Sequence, residues 1–134
     1  MSIVLDTQAV LVLYLGEKGA DRVAKLLSEV AERKIRGYMN IANLAELYYI
    51  LARKSVKVAE EKEQNLKSFG VKIVSVKAND ELWREAAILK AGKSLSLADA
   101  FAAATAKTLN ARMVTGSDSD FQKLDGKIEI ERVS

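Results

Sequence analysis

Four carboxylates stand at positions where chemistry could be built. Asp6 directly follows the apolar run Ile3-Val4-Leu5, Glu46 interrupts a long apolar stretch, Asp99 lies in Ser96-Leu97-Ala98-Asp99, and Asp118 lies in Thr115-Gly116-Ser117-Asp118-Ser119-Asp120-Phe121. The chain has neither histidine nor cysteine. That excludes imidazole bases, Ser-His and Cys-His nucleophile pairs, and zinc held by imidazole or thiolate. Carboxylates, lysines, tyrosines, hydroxyls or a metal must carry any catalysis. The metal would be a hard ion bound through oxygen, Mg²⁺ or Mn²⁺.

Each acid also has a plainer reading. Asp6 can be the N-cap of a helix over Thr7–Leu15, a role compatible with binding a ligand. Between Ile41 and Ala52 the non-aromatic polar residues are Asn43 and Glu46. Leu44, Leu47, Tyr48 and Leu51 form one stripe, and Glu46 lies roughly opposite it among Ala42, Tyr49 and Ile50. A carboxylate in such surroundings needs a partner, either a shared ligand or a cation such as Arg53. Asp99 can close a capping box with Ser96 as N-cap. Asp118 and Asp120 can sit in a solvated turn. They do not form an EF-hand loop, because the glycine is misplaced and no closing glutamate follows.

The elements that must position these acids follow from pattern. Ser2–Leu5 is read as a buried strand. Helices are expected over Thr7–Leu15, closed by Gly16, and over Asp21–Arg36, closed by Gly37, with Val23, Leu26, Leu27 and Val30 on one face. Tyr38–Met39 is a short strand, Asn40 caps a helix over Ile41–Arg53, and Val56–Phe69 is an amphipathic helix stopped by Gly70. Val71–Val76 alternates as a strand. Asn79–Ala91 and the Ala-rich Ser96–Leu109 are helical, Ala111–Val114 is a strand, and Lys127–Val133 is a last one. There is no proline, so glycine and polar residues punctuate the chain.

Strands alternating with helices imply a three-layer α/β/α fold with a central, mostly parallel sheet. Ligands in such sheets bind beyond the carboxyl ends of the strands. Asp6 and Asp118 therefore belong at the same edge. With 134 residues, 49% hydrophobic and 29% charged, the chain is read as a single domain over 1–134, without linker or repeat. The apolar run Ala9–Leu15 is too short to span a membrane and lacks a basic leader, so a cytoplasmic protein is expected. The net charge of +3 permits an anionic partner.

Strand-Asp-Thr, a lone Glu in an apolar helix, Ser-Leu-Ala-Asp-Ala at an Ala-rich helix and a strand ending in Thr-Gly-Ser-Asp-Ser-Asp-Phe, taken in this order, resemble the PIN domain. Among PIN domains the chain is similar to the short toxin ribonucleases of VapBC toxin–antitoxin pairs, from Ile3 to about Ile130. The resemblance implies a metal-dependent endoribonuclease acting on RNA, with Asp6, Glu46, Asp99 and Asp118 as the acidic positions that hold Mg²⁺ or Mn²⁺. Asp120 stands beside Asp118 as its alternate. Thr7 and Thr115 match hydroxyls that orient the acids. It also implies a homodimer, to which the apolar helix Ile41–Arg53 could contribute, and a VapB-like antitoxin that blocks the acidic groove. Arg53, Lys54, Lys93 and Lys123 are candidate phosphate contacts at the rim.

Three other readings compete. A non-catalytic RNA- or partner-binding PIN domain would be expected to have lost acids. A ribosomal RNA maturation nuclease would share the acids. A phosphoacceptor receiver domain needs adjacent acids after the first strand and a lysine at the end of a late strand, where this chain has Asp6-Thr7 and Thr115.

Overall fold

The structure, a computed structural model, describes residues 1–75, 77, 80–92, 95–116 and 128–133. Five strands and six helices follow one another within them: β1 (Ser2–Leu5), α1 (Thr7–Tyr14), α2 (Ala20–Ala31), β2 (Arg36–Asn40), α3 (Ile41–Ala52), α4 (Val56–Ser68), β3 (Lys72–Val74), α5 (Asp80–Gly92), α6 (Leu97–Leu109), β4 (Arg112–Thr115) and β5 (Ile130–Arg132). The strands form one sheet in the order β3-β2-β1-β4-β5, and every pairing is parallel.

Parallel neighbours need crossovers, and the helices that supply them cover both faces. The result is the expected three-layer α/β/α architecture. β1 shows why its sequence is a continuous apolar run rather than an alternating one. Ile3 and Leu5 pack into the core beneath α1, α2 and α3, with Leu26, Leu27 and Leu47. Val4, pointing the opposite way, packs with Met113 and the alanines of α6 against α5. The Ala-rich helix is deeply packed: Ala100, Ala102, Ala103, Ala104 and Ala106 are all buried. Small side chains there let α6 sit close to the sheet.

The helix expected over Asp21–Arg36 is shorter and begins one residue earlier. It ends at Ala31; Glu32 caps it and Arg33 turns the chain with φ 62°. The strand expected at Tyr38–Met39 is correspondingly longer, from Arg36 to Asn40. Gly37 is not a helix stop. It lies within β2, where an added Cβ would come 2.8 Å from Val30 Cγ2, so glycine permits α2 to pack directly on the strand. Of the other expected ends, Val76, Asn79 and Lys127 lie outside the described residues. Among the described residues no helix is long and apolar enough to cross a membrane.

Candidate metal centre

β1 and β4 are neighbours in register, with Leu5 beside Val114, so the next residues, Asp6 and Thr115, meet at the carboxyl edge of the sheet. The Asp6 backbone N–H continues the ladder to the Val114 carbonyl at 3.1 Å. Its side chain then turns inward and is only 1% exposed. Oδ1 accepts a hydrogen bond from the Ala9 N–H at 2.9 Å, which makes Asp6 the N-cap of α1. Oδ2 accepts one from the Thr115 hydroxyl. The capping role and the sequence position are thus compatible, because both oxygens keep a second lone pair.

Burial pushes the Asp6 carboxyl up to about 7. The hydrogen bonds from Thr115 and Ala9 work against this, and the charges of Asp99 and Glu46 reinforce it. Glu46 and Asp99 are thus within electrostatic reach of Asp6, although 40 and more residues separate each pair in sequence. They arrive there by two separate routes. Asn40, the last residue of β2, caps α3 by accepting from the Ala42 N–H at 2.8 Å, and Glu46 follows in the second turn. The Ser96 hydroxyl accepts from the Asp99 N–H at 3.1 Å, starting α6 with Asp99 in its first turn. Both acids are partly exposed. Among the described residues no ion pair holds Glu46. Arg53 instead lies over the Tyr49 ring, 4.9 Å from its centroid. Asp118, Asp120, Lys93 and Lys123 lie outside the described residues.

Two buried asparagines tie these routes together, and the sequence reading gave neither a site role. Asn43 Nδ2 donates to the Ala98 carbonyl at 3.1 Å, next to Asp99. The Thr7 hydroxyl donates to the Asn43 carbonyl at 3.0 Å, next to Asp6 in sequence. One residue of α3, through its backbone carbonyl and its side-chain amide, thereby links the first turns of α1 and α6. Asn40 Nδ2 donates to Thr105 Oγ1 at 3.0 Å, pinning the start of α3 to α6. The signal was present as one of two non-aromatic polar residues in an apolar helix, but its partners lie 36 and 55 positions away. Thr7 was expected to orient an acid; its hydroxyl serves this link, while Thr115 bonds Asp6 directly.

The donor set is one of hard oxygens, and it fits a hard divalent cation in kind and in charge. A carboxyl kept protonated near neutral pH by burial and by two like charges would be relieved by a cation, whose binding would displace the proton to solvent. Among the described residues no three acids form a ready cage. Mg²⁺ does not require one, since it commonly takes one or two carboxylates and keeps its waters.

Comparison with known proteins gives the family and the fold. A family model described as "PIN domain" matches residues 3–127. No curated protein matches the chain. Among solved structures, VapBC2 from Rickettsia felis, bound to a DNA fragment of its promoter, superposes with a TM-score of 0.77 at 19% identity, covering 100% of both chains. VapC20 of Mycobacterium tuberculosis, described as a sarcin–ricin loop cleaving toxin, gives 0.66 at 16% identity over 95% of this chain and 97% of that one. FitAcB from Neisseria gonorrhoeae gives 0.68 at 24% identity, over 96% and 95%. At these identities the likeness is one of fold.

Proposed function

The chain belongs to the PIN domain family, and from that premise we propose that it is a metal-dependent endoribonuclease acting as the toxin of a VapBC-type toxin–antitoxin pair. Residues 1–134 would act as a single nuclease domain in the cytoplasm. The observation that carries this reading is the buried Asp6 at the end of β1, its carboxyl pushed up to about 7 and facing the charges of Asp99 and Glu46. A buried acid whose ionisation is disfavoured in the empty protein is best accounted for by a cation that makes that ionisation favourable.

In this reading Asp6, Asp99 and Glu46 hold Mg²⁺ or Mn²⁺, with Asp118 or its alternate Asp120 as a fourth acid. Such an ion lowers the pKa of a bound water and neutralises phosphate oxygens. The chain's own residues do the positioning. Thr115 and the Ala9 N–H fix both oxygens of Asp6, so the carboxylate is oriented before substrate arrives. Asn43 holds the α6 start against α1, which fixes how far Asp99 stands from Asp6. An acidic pocket repels RNA, so cations beyond it must attract the backbone. Arg53 and Lys54, both exposed at the end of α3, suit that role.

The partners follow from the same reading. The solved relatives include VapBC complexes, which supports a VapB-like antitoxin here. A homodimer is supported by α3 itself: Ile41 is 37% and Tyr49 48% exposed, and with Leu44, Ala45 and Tyr48 they line a shallow groove of about 360 Å³. That is more exposed apolar surface than a solitary helix needs. A ribosomal RNA processing nuclease would share the catalytic acids and differ in its target. A non-catalytic binding domain would need Asp6 only as the N-cap of α1, a role that does not call for Asp99 and Glu46 beside it.

The test is cleavage of a panel of structured RNAs by the purified protein with Mn²⁺. Loss of an outer partner of a metal typically costs 10- to 100-fold, so Asp6→Asn, which alters a direct ligand, is expected to lose at least about a hundredfold. If the parent leaves the panel uncut and Asp6→Asn binds the RNAs equally well, the catalytic reading fails.

A further inference from the structure

A second groove lies at the opposite edge of the sheet, where β2 and β3 begin. It encloses about 590 Å³, and its charged lining residues are Arg33, Arg36 and Lys72, with no carboxylate among the side chains that line it. All three cations are exposed. Among the described residues none of them has an ion pair. Their neighbours in sequence behave differently. Lys34 pairs with Glu32 at 3.3 Å and Lys67 with Glu63 at 2.6 Å, and neither pair lines the groove.

Cations near helix C-termini usually need no special account, since they answer the dipole and the last carbonyls. Here those carbonyls are already served by the backbone. The Arg33 N–H donates to the Val30 carbonyl at 3.0 Å, Lys34 N–H to Glu29 at 2.9 Å, and Gly70 N–H to Lys67 at 2.9 Å. The left-handed turns at Arg33 (φ 62°) and Gly70 (φ 97°) make these bonds, so the carbonyls place no demand on the three side chains. Gly37 and Gly70 are among the residues that line the groove.

We propose that this groove binds the phosphate backbone of RNA, as a second contact for the chain whose scissile phosphate sits at the acids. The identification of RNA rests on the nuclease reading above. Two guanidinium forks and an ammonium around one concavity suit phosphate oxygens, and an exposed site without buried polar groups suits contacts that do not read sequence. The five residues of β2 separate the groove from the acidic edge by roughly 15 Å. One RNA strand several nucleotides long can reach both, so that attraction at one end of β2 offsets repulsion at the other.

The experiment measures binding without divalent metal, in EDTA, so that nothing is cut. The probe is a fluorescein-labelled single-stranded RNA of about twenty nucleotides, followed by anisotropy across 50–200 mM salt. The triple variant Arg33→Ala, Arg36→Ala, Lys72→Ala is expected to bind about tenfold or more weakly. Its plot of log K against log salt should flatten by about two, as loss of three phosphate contacts on a single strand requires. A control that removes the same charge elsewhere, Lys25→Ala, Lys57→Ala, Lys90→Ala, should change Kd by less than about threefold. The single variant Lys72→Glu repeats the test with one exposed change. Equal losses in both triples, parental binding by the groove triple, or no RNA binding by the parent overturns the proposal. So does polyaspartate that binds the parent more tightly than RNA and loses that binding in the groove triple, which would assign the groove to an acidic peptide. Cleavage with Mn²⁺ is scored separately. Groove-dependent binding by a protein that never cuts overturns the nuclease reading alone; cutting with groove-independent binding overturns the groove alone.

Discussion

The Thr115 hydroxyl donates a hydrogen bond to Asp6 Oδ2, joining the ends of β4 and β1 across 109 positions of sequence. This bond favours the ionised carboxylate, whereas burial disfavours it. Thr115→Val keeps the shape and removes the donor. The Asp6 carboxyl should then titrate above its parental value of about 7, followed by NMR of the side-chain carboxyl in metal-free protein. Above that pH the variant should also be less stable by roughly 1–3 kcal/mol, because a buried carboxylate has lost a partner.

The same residue sets a pH dependence of stability. Folded Asp6 keeps its proton up to about pH 7, while the unfolded chain releases it near 3.8. Between these values the folded state binds the extra proton, so raising the pH favours unfolding. The contribution of Asp6 is fully present below about 3.8 and lost as the pH passes about 7, a swing on the order of 4 kcal/mol. The metal-free parent should therefore lose stability relative to Asp6→Asn over this window in urea unfolding. A flat difference between the two proteins would contradict the burial assigned to Asp6. Mn²⁺, which competes with the proton, should raise the parent's melting temperature more at pH 8 than at pH 5.

Close packing gives a third prediction. Gly37→Ala drives a Cβ into Val30 Cγ2 at 2.8 Å and should destabilise by about 1–3 kcal/mol. Val30→Ala in the same chain should recover part of that loss. A double-mutant cycle by denaturant unfolding measures the coupling, and strictly additive effects would mean that the two residues do not touch.

These residues also mark how far the sequence could be read. β1 was legible because a strand buried on both faces must be apolar throughout, and its end at Asp6 was legible with it. Strand order then put Asp6 and the end of β4 at one edge. That Glu46 and Asp99 reach the same place came from the order of motifs, not from any rule of pairing. β2 was largely hidden: Arg36-Gly37-Tyr38-Met39-Asn40 neither alternates nor runs apolar, since Arg36 sits at the open start and Gly37 is chosen for Val30. The basic run 33–36 extended the helical pattern, and only the left-handed Arg33 shows where it breaks. Asn43 was conspicuous, yet its role depends on Thr7 and Ala98, contacts that exist only once α1, α3 and α6 are assembled. The basic groove joins residues near 33–37 to Lys72, and scattered turn cations read as solvated surface until the fold gathers them.

The central claim is that the acids at the carboxyl edge share a divalent ion. Crystals soaked in Mn²⁺ test it most directly, through anomalous scattering. The account requires a Mn²⁺ peak within direct or water-bridged reach of Asp6 together with Asp99 or Glu46, absent from Asp6→Asn crystals soaked alike. A fully soaked crystal with no peak there, or with peaks only at distant surface carboxylates, would contradict it.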